Sequence, residues 1–157
     1  MSDLAVRLSV VIISHGHEDL LPNCVASLVA MLAGITFEIL VVDNLPDGGA
    51  AAALQSAPLS IRYHRNPSPV GLSENMNLAA ARTSGQYLLF LNPDTAYQSG
   101  SLSGALDYMD KTRQTAVMGC RLLNSDGTTQ QSFRRFPTTA VILARGLGAD
   151  RWSRRPG

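Results

Sequence analysis

Short β-branched and aliphatic runs alternate along this chain with longer stretches whose apolar residues recur every three or four positions. Runs of the first kind are strand-like, and stretches of the second kind are helices with one apolar face. Residues 8–13 form the first predicted strand. Across 18–32, Leu20, Leu21, Cys24, Val25, Leu28 and Leu32 make one helical face, and Gly34 ends it. Residues 37–42 are a second strand, closing on Asp43-Asn44. Pro46-Asp47-Gly48-Gly49 is a turn, and the alanine-rich segment to Leu54 is a short helix. Residues 60–64 are a third strand, nearer an edge. A helix at 73–82, a fourth strand at 86–91 and a helix at 101–111 follow. Segments 116–123 and 128–133 flank Asn124-Ser125-Asp126-Gly127, a hairpin signal. The alternation predicts an α/β fold: a Rossmann-like, mostly parallel sheet with flanking helices and a late antiparallel hairpin. No internal repeat or low-complexity linker interrupts it.

The fourth strand ends abruptly in Asn92-Pro93-Asp94. Pro93 cannot donate to a sheet ladder, so an amide and a carboxylate are held at the strand's carboxyl end. The first strand ends in Ser14-His15-Gly16 and the second in Asp43-Asn44. In a doubly wound sheet these three ends share one rim, where such sheets bind ligands. Asp43 is placed to accept hydrogen bonds from a ribose or a base edge. Asp94 is placed to hold a divalent cation. One carboxylate suffices for Mg²⁺ when phosphates and water complete its shell. No GxGxxG follows the first strand and no GxxxxGK[ST] occurs, which argues against a dinucleotide dehydrogenase and a P-loop NTPase.

At 157 residues, 45% hydrophobic and 16% charged, the chain reads as one globular domain. A formal net charge of +1 carries no nucleic-acid signature. The charge is uneven, because Arg134, Arg135, Arg145, Arg151, Arg154 and Arg155 face only Asp150. Such a cluster is ordinarily a solvated tail. Its functional reading is peripheral attraction to an anionic membrane surface or a lipid-linked acceptor. Cys24 and Cys120 lack a CxxC partner and read as reduced, buried thiols of a cytoplasmic protein. No run reaches transmembrane length, and the first residues lack a signal-peptide pattern.

The blocks Val10-Val11-Ile12-Ile13-Ser14, Glu38 to Asn44, Arg65-Asn66-Pro67 with Gly71, Gly85 to Thr95 and Arg121 to Gly127 occur in an order that resembles the family-2 glycosyltransferases of GT-A fold. The likeness is greatest to the rhamnosyltransferase-like branch, and Arg134-Arg135-Phe136-Pro137 is similar to it as well. The resemblance implies inverting transfer of a sugar from a nucleoside diphosphate sugar, UDP- or dTDP-linked, to a glycan or lipid-linked acceptor. It implies Mn²⁺ or Mg²⁺ at Asp94, with Asn92-Pro93-Asp94 in place of the family's DxD motif. Ser14, His15, Asp43, Asn77 and Asn92 are the expected nucleotide contacts. In the segment that lies against the base, Ser-His-Gly stands where Thr-Tyr-Asn is usual.

The resemblance also implies a second half that shapes the acceptor site and supplies a carboxylate base. Of the later acids, Asp107 and Asp110 fall in a helix, Asp126 suits a turn, and Asp150 lies in the basic tail. No general base emerges. The expectation is a nucleotide-sugar-binding domain over 1–137, followed at 138–157 by the start of an acceptor-side region, in a natural short protein or a truncated one. The alternative is a non-catalytic module of the same fold that binds nucleotide or a partner subunit. A sugar nucleotidyltransferase is a third reading, but the segment after the first strand lacks its glycine-rich, basic loop. Asp43 and Asp94 also have a bland reading as capping residues. His17 and His64 read as ordinary polar or half-buried histidines, and the three histidines lack metal-ligand spacing.

Overall fold

The computed structural model describes residues 5–132. Its central strand is β1 (Leu8–Ser14), in which only Ile13 is not fully buried. β1 pairs in parallel with β2 (Phe37–Asp43) on one side and with β4 (Tyr87–Leu91) on the other. β3 (Arg62–Arg65) pairs in parallel with β2 at the sheet edge, so the order is β3-β2-β1-β4. A strand flanked on both sides and covered on both faces has no solvent side, which is why its sequence is a continuous apolar run.

Three helices connect the strands, α1 (Leu21–Met31), α2 (Ala50–Ala53) and α3 (Leu72–Ala80), and α4 (Leu102–Lys111) follows β4. Alternate strand residues serve opposite faces. Val10, Ile12, Ile39 and Val41 pack with Leu21, Cys24, Val25 and Leu28 of α1, Ala50 of α2 and Leu106 of α4. Val11, Leu40 and Val42 pack with Ala79 of α3 on the second face. Each such aliphatic side chain contributes about 1.5–3 kcal/mol by its burial. α1 begins at Leu21 rather than 18, because Pro22 occupies its first turn and the preceding residues form a turn in which Leu20 and Leu21 donate to the His17 carbonyl. α4 begins where predicted, capped by the Ser101 hydroxyl, which accepts from the Gly104 N–H at 2.9 Å.

The amino end of the sheet is closed by a polar cluster. Glu38 accepts from the Ser9 hydroxyl at 2.7 Å and from the Ser84 N–H at 2.6 Å, and it pairs with Arg62. Gly85 donates its N–H to Ser9 Oγ at 2.8 Å. A Cβ on Gly85 would stand 2.5 Å from the Ser9 backbone nitrogen, so only glycine allows this approach.

The chain divides between Thr115 and Ala116 into two compact units. The boundary expected at 137/138 and the arginine-rich segment lie outside the described residues. In the second unit the predicted hairpin is reduced to its turn and the residues next to it, with the Asn124 N–H donating to the Thr128 carbonyl and the Gln130 N–H to the Leu122 carbonyl, both at 2.8 Å. Gly127 donates to the Asn124 carbonyl at 2.9 Å, and Leu123 and Thr129 form an isolated antiparallel bridge. Neither flank is a strand within the described residues. Val117 is 87% exposed, and Met118 and Leu122 are also exposed, so the flanks lack the apolar packing that holds a hairpin open to water. Cys24 is a buried free thiol, as expected; Cys120 is free but exposed.

Candidate functional site

From β1 the chain moves outward to β2 and β3, then returns to pair β4 with the other side of β1. The carboxyl ends of β1 and β4 therefore flank a topological switch point, where the loops diverge and leave a crevice. Ile12 is in register with Leu91, so two residues further on Ser14 is level with Pro93. A cleft of about 400 Å³ opens at this level. It is lined by Ile13 of β1, His15 and His17 after it, Asn44 after β2, Leu72 and Asn75 of α3, and Asn92, Pro93 and Asp94 after β4.

The Asn-Pro-Asp turn is held from below. Pro93 is buried, while Asn92 and Asp94 are exposed. The Asn92 carbonyl accepts from the Thr95 N–H at 3.2 Å, from Thr95 Oγ1 at 2.6 Å and from Cys24 Sγ at 3.7 Å. With its backbone tied to the core in this way, the turn presents the Asn92 and Asp94 side chains to the cleft.

The opposite wall is set by an asparagine network. Asn44, Asn66 and Asn75 are all buried. Asn66 Nδ2 donates to Asn44 Oδ1 at 2.8 Å and to Asn75 Oδ1 at 2.7 Å. Asn44 and Asn75 both donate to the Val70 carbonyl, at 3.0 and 3.2 Å. Buried amides are stable only when paired, and here each satisfies the next. The network pins the 66–71 loop to the end of β2 and to α3. Sequence reasoning missed its site role; the signal was Asn75 within a helix, where asparagine is disfavoured.

The expected nucleotide residues are distributed unevenly. His15 and Asn92 line the cleft, as does Asp94. Asn77 is exposed on α3 and is not among the lining residues; Asn75, two positions earlier, is. Ser14 is fully buried, its hydroxyl 3.4 Å from the His17 N–H. Asp43 is 4% exposed and also lies outside the lining. Its Oδ2 accepts from the Ala50 N–H at 3.2 Å, with Arg65 Nε 4.0 Å away, and its Oδ1 is 3.4 Å from the Leu45 N–H. A side chain at Gly48 would collide with this carboxylate. Asp43 thus holds the turn between β2 and α2. His17, expected to be unremarkable, is half-buried and lines the cleft.

For a metal, Asp94 offers one exposed carboxylate, and the described residues hold no cluster of three or more His, Cys, Asp or Glu suited to an ion. This donor set fits a cation shared with a diphosphate rather than an all-protein site. Another cleft, of about 500 Å³, lies by the amino end of β4 around Gln86, Tyr87 and Asp110. There Asp110 is already taken by Arg7 at 2.7 Å, Tyr87 Oη at 2.6 Å and Gln86 Nε2 at 3.2 Å, so its acid is committed to structure.

Known proteins resemble this chain in sequence and fold. The family model for glycosyl transferase family 2 matches residues 9–155. The O-antigen biosynthesis protein RfbC of Myxococcus xanthus is 29% identical over 128 residues, 80% of this chain and 10% of that protein. The crystal structure of S. aureus TarS superposes with a TM-score of 0.60 at 20% identity, covering 68% of this chain and 20% of that one. TarS 1-349 in complex with UDP-GlcNAc gives the same TM-score and identity, covering 68% of this chain and 32% of that one. The mannosyltransferase PcManGT from Pyrobaculum calidifontis, in complex with GDP-Man and Mn²⁺, gives 0.54 at 14% identity, covering 62% of this chain and 30% of that one. The chain spans a tenth of the curated relative and a fifth to a third of these solved chains. The fold is the mostly parallel sheet with flanking helices of GT-A glycosyltransferases.

Proposed function

The chain belongs to glycosyl transferase family 2, and on that premise we propose that its cleft binds a nucleoside diphosphate sugar for inverting transfer to an acceptor hydroxyl. The observation that carries this reading is the position of Asp94. It is an exposed carboxylate on a turn anchored to the core, facing the switch-point cleft that His15 and Asn75 also line. Asp94 would hold Mn²⁺ or Mg²⁺, and the ion would supply charge neutralisation of the leaving diphosphate. Asn92 offers a neutral amide to the same ligand, and His15 and Asn75 bound the nucleoside side. Asp43 contributes indirectly, by keeping the turn beside the cleft in place.

The donors bound in the solved relatives, UDP-GlcNAc and GDP-Man, are those proteins' own; they support a nucleotide sugar as the class of ligand here. The O-antigen relative supports a glycan or lipid-linked acceptor in cell-envelope polysaccharide synthesis. No helix of the described residues is long and apolar enough to cross a membrane.

A non-catalytic nucleotide-binding module is the second reading. It is favoured by the engagement of the later acids: Asp107 with Arg7 at 2.6 Å, Asp110 as above, and Asp126 with Thr128 in its own turn. Calorimetric titration with UDP, dTDP and GDP, with and without Mn²⁺, tests the shared premise. Metal-dependent binding of one diphosphate supports it, and failure of all three would refute it. Turnover of the matching sugar donor then separates enzyme from module.

A further inference from the structure

Asn44 is buried, and a single backbone residue determines which way its amide faces. The Val70 N–H donates to Asn44 Oδ1 at 3.0 Å, and the Val70 carbonyl accepts from Asn44 Nδ2 at 3.0 Å. A backbone N–H can only donate and a backbone carbonyl can only accept, so the amide cannot be turned over. Asn44 Nδ2 keeps a second hydrogen, and His15 Nδ1 lies 3.1 Å from that nitrogen. His15 Nδ1 is therefore the acceptor, and the neutral ring carries its proton on Nε2. The same logic applies two residues on. The His15 backbone N–H donates to His17 Nδ1 at 3.1 Å, which leaves the proton of His17 on Nε2 as well.

Both rings line the cleft, and no lysine or arginine is among its described lining residues. We propose that Asn44 is a positioning residue: with the His15 backbone N–H it sets His15 and His17 as two Nε2–H donors for acceptor oxygens of the bound nucleoside diphosphate. The inference rests on the cleft being the nucleotide site. It adds what that reading lacks, a source of neutral donors in a cleft whose described lining holds no basic side chain and no glycine loop. Acceptor oxygens occur on the diphosphate and as carbonyls of the base, and the ligand series below separates them.

Long-range ¹⁵N–¹H correlation spectra of the free protein near pH 8 should show both histidines as the Nε2–H tautomer. An Nδ1–H form of His15 would overturn the proposal. In Asn44→Asp the carboxylate still accepts from Val70 and Asn66 but has no hydrogen for the ring, so the His15 proton should be found on Nδ1. An unchanged His15 tautomer in the folded variant would show that Asn44 does not set it. The second pair of variants leaves the asparagine network intact. His15→Gln keeps an N–H donor and should bind UDP nearly as wild type, whereas His15→Phe should lose about tenfold in affinity. Titration with UDP, UMP, uridine and inorganic pyrophosphate places the contact. A loss shared by UDP and pyrophosphate assigns it to the phosphates, and a loss shared by UDP, UMP and uridine assigns it to the base. Normal wild-type binding with an unaffected His15→Phe refutes the donor role alone. Wild-type protein that binds no nucleoside diphosphate refutes the underlying site, and the tautomer spectra still decide the part played by Asn44.

Discussion

Cys24 Sγ lies 3.7 Å from the carbonyl oxygen of Asn92, so a thiol on the core face of α1 supports the turn that presents Asp94. Burial pushes this thiol up to about 11, against the opposing hydrogen bond with Thr95 and with help from the charge of Asp94. Thiolate is the reactive form, so Cys24 should resist alkylation in the native protein while exposed Cys120 reacts. Peptide mass spectrometry after iodoacetamide treatment at pH 8, with and without urea, checks this. Labelling of native Cys24 at the rate of Cys120 would contradict the burial described.

Asp94→Ala should abolish the dependence of nucleoside diphosphate binding on a divalent cation. The residue is exposed at the turn, and removing it should leave the fold unchanged. Titrations with Mn²⁺ and with excess chelator should differ for wild type and coincide for the variant. An undiminished metal effect in Asp94→Ala would place the ion elsewhere.

Asp43→Ala should act mainly on stability. It leaves the buried Ala50 N–H without its partner and removes the carboxylate beside Arg65. A loss of about 1–3 kcal/mol is expected. Urea denaturation measures it directly. A variant as stable as wild type that binds nucleotide tenfold more weakly would instead make Asp43 a direct contact.

Acid should weaken the amino end of the sheet through Glu38. Burial raises its pKa, but hydrogen bonds from the Ser84 N–H, the Ser9 and Ser84 hydroxyls and Arg62 outweigh this and hold it at about 2, below the usual glutamate value of 4.5. A depressed carboxylate contributes stability above pH 4.5 that is lost as the pH falls toward 2. Allowing for solvent screening of the Arg62 pair, the contribution is about 2 kcal/mol. Glu38→Gln should flatten the stability profile over that window, and an unchanged slope would remove Glu38 as its cause.

Donor binding and slow donor hydrolysis, without sugar transfer, are the expected outcome for this 157-residue chain. Positioned general-base assistance is worth about 10²–10⁴-fold. Asp107, Asp110 and Asp126 are each engaged in the first or second unit's own structure. A radiolabelled donor with a panel of acceptors, run beside a C-terminally extended chain, tests this. Efficient transfer by the short chain would direct the search for a base back to these acids and to Asp150.

Strand and helix identity was legible because each element's apolar spacing matches its own period. β1 and most of β2 read as continuous runs because the sheet buries them, β4 reads as one although its Leu88 and Phe90 stand exposed, and all four strands and four helices appear where predicted, within a few residues. The Asn92-Pro93-Asp94 turn was legible for a local reason as well: proline brings no N–H to continue a ladder. The hairpin was over-read. Asn124 to Gly127 makes its turn, but strand pairing also needs an apolar face to cover, and turn residues do not supply one.

The linear chain determined which segments end at the rim and which chemical groups they carry there. It did not determine which of those groups face the cleft. Asp43 closes β2 and Asp94 follows β4, yet one turns inward to accept from the first N–H of α2 and the other stands in solvent. Asn75 and Asn77 share a helix, but a rotation of about 200° between positions two apart puts one against Asn66 and the other on the surface. The tautomer of His15 depends, through Asn44, on Val70, more than fifty residues away in the chain. Periodicity and turn chemistry act between near neighbours and can be read in order. Burial and hydrogen-bond partnership join residues distant in sequence, and only the folded packing of β1, β2, β4 and α3 decided them.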